Sequence, residues 1–157
     1  REYLKRKNNV SETVIDIPVK LKPAYSMYTE IIQIKDVKKG EFVGYGASYR
    51  ASEDIKIAIL AVGYVDGIFR KSKGRFVSIK NKRYQIIGDV GMGMIAVKID
   101  DTIDINDKVT LIRENIPINE VSRHVGTIIY EVMCNVGKNV PRVYIKNNEI
   151  IGIEEAK

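Results

Sequence analysis

The stretch "RFVSIKNKRYQIIGDV", residues Arg75 to Val90, decides the fold class of this chain. Two short apolar runs, "RFVSI" and "YQIIGDV", lie on either side of a central "KNK". Short runs of this kind on both sides of a polar turn are typical of two strands joined into a β-hairpin. We therefore expect a hairpin here and look for more strands on either side of it.

Further strand patterns occur along the whole chain. "TEIIQIKDV" and "MIAVKID" alternate apolar and polar residues, and "DKVTLI" is another short strand. "IKIAILAVG" is almost continuously apolar, which predicts a strand buried on both faces. "PRVYIKNNEIIGIE" reads as a strand, an Asn-Asn turn and a second strand. Short strands recur about every ten residues, the spacing of a sandwich or a barrel.

Two short helices are predicted near the C-terminal end. "INEVSRHVG" would begin with Asn119 as its cap and end at Gly126. "TIIYEVMCNVG" would run from Thr127, as N-cap, to Gly137. The side chains expected to face the core from this second helix are Ile128, Met133 and Val136. The sequence thus predicts a mainly β domain over residues 13–157, with residues 1–12 as a linker or tail.

Composition limits the class of protein. The chain has 157 residues, of which 45% are hydrophobic and 29% charged, which fits one soluble domain. No apolar run approaches the ~18 residues of a membrane span, so no membrane association is expected. A single cysteine, Cys134, permits no internal disulfide and indicates a reducing, cytoplasmic setting. With one histidine, His124, no metal site is expected, and its place near a helix end favours a structural role.

The net charge of +6 raises the question of nucleic acid. The lysines and arginines are scattered through turns such as "RKSKGR" and "KDVKKGE", which favours solvated loop charge. A basic β-barrel that binds RNA or single-stranded DNA is the alternative. That alternative needs aromatic and cationic side chains on one strand face, whereas the tyrosines beside glycines lie in turns.

The stretch "VGYGASYR", residues 43–50, has the glycines of a phosphate-binding loop but not its context. A dinucleotide loop needs G-x-G-x-x-G followed by a helix, whereas Tyr49 occupies the third glycine position and a strand pattern follows. "GMGM", residues 91–94, fails for the same reason. We therefore expect a sharp corner that presents Tyr45, and a similar turn at Tyr64 in "VGYVDGIFR".

Four motifs in order, "VGYGASYRA", "AVGYVDGIFR", "IIGDVGMGM" and "GTIIYEVMCNV…VPRVY", resemble the C-terminal domain of alanine racemase. This bacterial family uses pyridoxal phosphate to interconvert L- and D-alanine for cell-wall precursors. The resemblance covers nearly the whole chain. It implies that the strands close into a small barrel-like domain. It also implies that the N-terminal barrel, which carries the lysine bound to the cofactor, is absent from this chain.

The resemblance also implies roles for particular residues. Tyr45 matches the acid/base tyrosine of the corner, and Tyr64 matches a tyrosine that lines the substrate entryway. Met92 matches the methionine whose backbone N–H faces the substrate carboxylate, and Tyr130 matches a tyrosine that contacts the cofactor phosphate. In the family, the corner reaches into the barrel of a partner subunit. We therefore expect a homodimer with a small amino acid as substrate, and no activity from the isolated chain.

One motif departs from the family pattern. Where the family has G-R-V-C-M-D, this chain has Asp89 for arginine, Gly91 for cysteine and Gly93 for aspartate. The changes lie around the carboxylate-binding loop, so the identity of the amino acid stays open between alanine, serine and others. A non-catalytic descendant that retains only dimer formation also stays open.

Overall fold

A computed structural model of the chain describes residues 24–156. The strands β1 to β11 span Met27–Thr29, Ile31–Val37, Phe42–Val43, Tyr49–Arg50, Ile55–Leu60, Phe76–Ile79, Lys82–Ile87, Ile95–Ile99, Val109–Ile112, Arg142–Lys146 and Glu149–Glu154. Helices α1 and α2 span Ile118–Val125 and Ile129–Cys134. The predicted mainly β class with two short helices is confirmed.

The main sheet curls into a barrel-like shape, as the resemblance implied. Its antiparallel strands run in the order β1-β9-β6-β7-β8-β5-β2. The two edge strands, β1 and β2, are joined through Glu30 alone, so the two edges must come together at that residue. The hydroxyl of Thr29 donates to the carbonyl of Ala61 at 3.0 Å, which ties this junction to the end of β5.

The predicted hairpin at residues 75–90 is confirmed as strands β6 and β7. Its turn residues Lys80 and Asn81 have φ of 49° and 63°, the geometry that matches the twist of the flanking strands. The first four residues of β7 pair with β6, while Ile86 and Ile87 pair with β8. The hairpin thereby links the two halves of the curled sheet.

The sheet buries apolar residues on both faces. The larger cluster includes Ala58 and Leu60 of β5. Ile55 and Ile57 of the same strand belong to a second, smaller cluster beneath the short β3–β4 hairpin. The prediction that "IKIAILAVG" forms a strand buried on both faces is therefore confirmed.

Helix α1 ends as predicted but begins elsewhere. Gly126 closes it with φ of 82°, whereas its N-cap is Pro117, so Asn119 lies inside the helix and the predicted cap is wrong. The extended backbone of Pro117, with ψ of 141°, already places the chain at a helix entry.

Helix α2 is shorter than predicted, because Thr127 serves the end of α1 instead. The N–H of Thr127 donates to the carbonyl of Ser122 at 2.9 Å, so α2 starts only after Ile128 and stops at Cys134. Val136 packs against the core as predicted. The prediction is wrong for two other side chains, Ile128 and Met133, which are exposed.

Candidate functional site

The glycine-flanked corner lies between β3 and β4, where Tyr45–Ala47 form one 3₁₀ turn. Gly44 and Gly46 have φ of 85° and 65°, values that a residue with a side chain rarely adopts. The chain therefore turns sharply at both glycines and pushes the residue between them outward. The side chain of Tyr45 is 75% exposed. A strand, β4, follows the corner, so it has no helix N-terminus with which to bind a phosphate.

The corner rests on the start of the Met92 loop, by which we mean residues 88–94. A Cβ on Gly44 would lie 2.9 Å from the Cα of Gly88, so two backbones meet here without side chains between them. The N–H of Asp89 donates to the hydroxyl of Ser48 at 2.6 Å. Beneath the corner, Val43 is buried in the smaller cluster. These contacts hold the backbone of the Tyr45 corner in place.

The turn that carries Tyr64 is joined to the other side of the Met92 loop. The N–H groups of Tyr64 and Val65 donate to the carbonyls of Gly91 and Met92, both at 3.0 Å. A Cβ on Gly63 would lie 2.2 Å from the Met92 carbonyl oxygen, so only glycine fits. The corner, the loop and the turn thus form one continuous rim.

Helix α2 connects to this rim through the Tyr64 turn. The side-chain amide of Asn135 donates to the carbonyl of Gly67 at 3.0 Å. The N–H of Gly137 donates to the carbonyl of Asp66 at 3.4 Å. Tyr130 lies in the first turn of α2, two residues after its N-cap Ile128. The segments of Tyr45 and Tyr64 therefore contact the Met92 loop directly. Among the described residues, Tyr130 is linked to the rim through α2 and the residues that follow it.

The four predicted site residues are all exposed, and each has a polar group without a hydrogen-bond partner among the described residues. Tyr130 is 75% exposed, Met92 63% and Tyr64 47%. Across residues 24–156, no hydrogen bond involves the hydroxyls of the three predicted site tyrosines or the N–H of Met92. Other tyrosine hydroxyls are engaged, because Tyr84 donates to Asp100 at 3.0 Å and Tyr144 donates to Glu154 at 3.1 Å. The rim and helix α2 therefore offer donors that no residue within 24–156 engages.

Large apolar side chains adjoin these donors in sequence and are also exposed. They are Val65, Met94, Ile128, Ile129 and Met133. Clusters of exposed apolar side chains on a soluble domain mark surfaces that contact another protein or another domain. The rim and helix α2 thus both present exposed apolar side chains beside hydrogen-bond donors, a combination suited to docking.

Sequence reasoning missed Lys73, which was counted only as loop charge. Its ammonium group donates to the carbonyl of Ser48 at 2.8 Å and lies 3.5 Å from the carboxylate of Asp89. It therefore bridges the corner and the Met92 loop. Asp89 could have pointed to it. Asp89 stands where the family has arginine, so the positive charge of that arginine is replaced by a negative charge that a nearby lysine can balance.

Arg75 was also counted as a solvated turn cation, and the structure shows that this is wrong. Arg75 is only 2% exposed and lies immediately before β6. Burial lowers the pKa of its guanidinium from 12.5 to about 10, and the charge of Glu120 opposes that shift. His124, by contrast, is at the end of α1 as predicted, with Nε2 3.0 Å from the Lys73 carbonyl oxygen.

Two classes of feature are absent from the described residues 24–156. No three metal-ligating side chains lie close enough together to hold an ion. In the same part of the chain, no helix has the length and apolar character needed to cross a membrane.

The chain is similar to known proteins over most of its length. Residues 24–144 match the family model described as "Alanine racemase, C-terminal domain". The chain is 37% identical to alanine racemase 1 of Bacillus subtilis over 142 residues, 88% of this chain and 36% of that protein. It is 35% identical to alanine racemase of Geobacillus kaustophilus over 144 residues, 89% of this chain and 38% of that protein.

Solved structures give the same result. The alanine racemase of Bacillus anthracis with bound L-Ala-P matches with a TM-score of 0.83 and 34% identity, over 92% of this chain and 39% of that one. The Clostridium difficile enzyme in complex with cycloserine matches with a TM-score of 0.83 and 34% identity, over 93% and 40%. The chain thus spans well under half the length of these relatives. It belongs to the alanine racemase family, within which it corresponds to the C-terminal domain.

Proposed function

We propose that residues 13–157 are the C-terminal domain of a pyridoxal-phosphate-dependent amino-acid racemase that acts on alanine, preceded by a linker or tail at residues 1–12. The observation that carries this proposal is the junction of the Tyr45 corner with the Met92 loop. One segment offers a free phenol and the other a free backbone N–H, and Gly44 and Gly88 hold the two segments in contact. This chain would contribute an acid/base group and a backbone N–H that donates to the substrate carboxylate.

Racemisation removes the α-proton from one face of an amino acid and returns a proton to the opposite face. Two acid/base groups on opposite sides are the simplest arrangement. We assign Tyr45 to one side, since its phenol is exposed and makes no hydrogen bond within residues 24–156. Tyrosine takes up a proton only as its phenolate, and nearby charges must stabilise that form. Such charges, and the second acid/base group, would come from the part of the enzyme outside this chain.

The Met92 loop would orient the substrate. The carbonyl of Gly91, which shares a peptide plane with the N–H of Met92, accepts from the N–H of Tyr64 at 3.0 Å. This bond fixes that plane and leaves the N–H of Met92 to donate to a substrate carboxylate. A backbone donor works whether or not positions 91 and 93 carry side chains, so this role tolerates glycine at both positions. Tyr64, at the adjoining turn, would narrow the entry and favour a small amino acid.

Pyridoxal phosphate, when bound, supplies the electron sink that makes the α-proton removable. In the family, this domain makes only a small part of the contacts that hold the cofactor, and the residues of this chain are consistent with that. Tyr130 offers a hydroxyl that no described residue engages, and phosphate oxygens accept such hydrogen bonds well. We assign that single contact to this chain, and the remaining contacts to the barrel that the relatives contain beyond the matched region.

The exposed rim supports a homodimer in the intact enzyme. Tyr45 and Met92 project from the domain with most of their surface uncovered, beside exposed Val65 and Met94. A partner subunit's barrel would cover this apolar surface and enclose the phenol in a site that water cannot reach. Exclusion of water would in turn strengthen each polar contact inside the site.

An amino acid also suits the charge distribution better than nucleic acid does. Several lysines form separate ion pairs with carboxylates, at positions spread over the described surface: Lys38, Lys56, Lys80, Lys82 and Lys98. A nucleic-acid groove needs cations that stay free for phosphates along one face. We therefore do not propose a nucleic-acid ligand.

The test is an assay of the intact parent enzyme with pyridoxal phosphate on both enantiomers of alanine and of serine. Tyr45→Phe should slow racemisation in both directions, because the group that takes a proton from one face must return it to that face in the reverse direction. Exchange of the α-proton with solvent deuterium should be lost mainly from the L-enantiomer, because that face loses its base. The matched control is Tyr49→Phe, four residues away, whose ring packs against the smaller cluster. Racemisation at the wild-type rate in Tyr45→Phe, or an equal loss of α-proton exchange from both enantiomers, would contradict the assignment. A wild-type enzyme that binds cofactor but is inert on all four amino acids would instead indicate the non-catalytic descendant.

A further inference from the structure

Asp89 places a negative charge in the loop that would receive the substrate carboxylate. It stands three residues before Met92, and its side chain is 40% exposed. An unbalanced carboxylate at this position would repel an incoming carboxylate, and the repulsion would grow when a partner subunit excludes water. The loop therefore needs a cation beside Asp89 if Met92 is to bind an amino acid.

Lys73 is that cation. Its ammonium lies 3.5 Å from Oδ1 of Asp89 and also donates to the carbonyl of Ser48 at 2.8 Å. The backbone of Lys73 is itself held, because its carbonyl oxygen lies 3.0 Å from Nε2 of His124 at the end of α1. The ammonium is thus directed toward the corner rather than left free on an exposed loop.

We propose that Lys73 is a positioning residue of the racemase site, which balances the charge of Asp89 and ties the Tyr45 corner to the Met92 loop. This inference rests on the proposed function. The two contacts contribute separately. The contact with Asp89 governs binding of the substrate carboxylate, and the contact with the Ser48 carbonyl governs the placement of the corner that carries Tyr45.

The stability of the domain depends little on this pair. Lys73 and Asp89 are 45% and 40% exposed, and exposed ion pairs contribute little to folding. The backbone contact between Gly44 and Gly88, and the hydrogen bond from Asp89 N–H to Ser48, remain when the lysine is removed. A variant at Lys73 should therefore fold normally, and a change in its kinetics would report on the site.

The experiment measures kcat and KM for alanine in the intact enzyme carrying Lys73→Gln, Lys73→Gln with Asp89→Asn, and Lys73→Arg. We expect Lys73→Gln to raise KM about fivefold, by an amount that shrinks at high salt. Asp89→Asn in the same chain should restore KM, because the repelling charge is gone. Lys73→Arg should stay near wild type. Lys71→Gln, which removes an exposed cation two residues away, is the matched control.

The inference is overturned if Lys73→Gln and Lys71→Gln have the same KM, or if the high KM of Lys73→Gln persists after Asp89→Asn. Tyr45→Phe, assayed beside them, separates this result from the larger proposal. Loss of turnover in Tyr45→Phe with an unchanged Lys73→Gln would refute only the role of Lys73. Full turnover in Tyr45→Phe would refute the proposed function itself.

Discussion

Two hairpins in this chain have the same local construction and opposite surroundings. β6–β7 turns at Lys80 and Asn81, with φ of 49° and 63°. β10–β11 turns at Asn147 and Asn148, with φ of 51° and 63°. Yet Val77 and Ile79 of the first hairpin are 0% exposed, while Ile145 of the second is 65% exposed.

The neighbours of each hairpin account for the difference. β6 also pairs with β9, and β7 also pairs with β8, so the first hairpin has a strand on both sides. Among the described residues, β10 and β11 pair only with each other. An isolated two-stranded hairpin is marginally stable in water. The comparison teaches that turn chemistry forms a hairpin, whereas its neighbours determine how much it contributes to the stability of the domain.

The largest difference between the hairpins should come from truncating one isoleucine in each. Ile79→Ala should lower the free energy of unfolding by about 2–5 kcal/mol, because it leaves a cavity in the main core. Ile145→Ala, at an exposed position, should change it by less than about 0.5 kcal/mol. Urea denaturation of the 157-residue chain measures both. Similar losses in the two variants would show that the terminal hairpin is also covered.

A β-branched residue in each turn should have a smaller but still distinct effect. Asn81→Val forces valine into a left-handed backbone and should cost about 1–2 kcal/mol of global stability. Asn148→Val imposes the same strain, yet it should open only the terminal hairpin. Amide hydrogen exchange distinguishes the two results. Protection should fall throughout the main sheet in the first variant and only over 142–154 in the second.

Acid should weaken the first hairpin more than the second. Hydrogen bonds from Lys82 and from Thr102 hold the pKa of Asp100 well below its ordinary value of 3.8. Since the folded pKa is depressed, this contribution to stability is complete above that ordinary value and is lost as the pH falls below it. Asp100→Asn should therefore lower the melting temperature at neutral pH and match wild type in strong acid.

Thermal unfolding between neutral pH and strong acid tests this expectation. Glu154→Gln is the control, because Glu154 accepts a hydrogen bond from Tyr144 within the terminal hairpin. It should have little effect at either extreme. A pH-independent difference between wild type and Asp100→Asn would refute the linkage.

The smallest effect on folding should come from replacing an exposed apolar residue of the terminal hairpin with a polar one. Ile151 is 64% exposed, so Ile151→Thr should leave the free energy of unfolding nearly unchanged. The substitution should reduce self-association of the isolated chain, because it removes an exposed apolar side chain through which two chains could associate. Sedimentation over a range of concentrations measures this. Unchanged association would mean that another surface, such as the site rim, is responsible.

Much of the strand content could be predicted, because it depends on residues close together in sequence. The two-sided burial of β5 followed from its continuous apolar run, and both hairpin turns followed from their asparagines. The helix starts could not be predicted. Thr127 has the side chain of an N-cap, but its backbone N–H already bonds to Ser122 in α1. The glycines of the corner suggested an exposed Tyr45, while the contact of Gly44 with Gly88 was not visible in the pattern.

The sequence by itself determined the turns, the strand alternation and the motifs that resemble the alanine racemase family. These features depend on backbone dihedral preferences and on side chains within a few residues of one another. Only the tertiary structure decided that Arg75 is buried and that Lys73 meets Asp89 across 16 residues of chain. It also decided that the Tyr64 turn, the Met92 loop and the Tyr45 corner form one rim. Burial and charge pairing depend on distance in space, which the order of strands in the curled sheet sets.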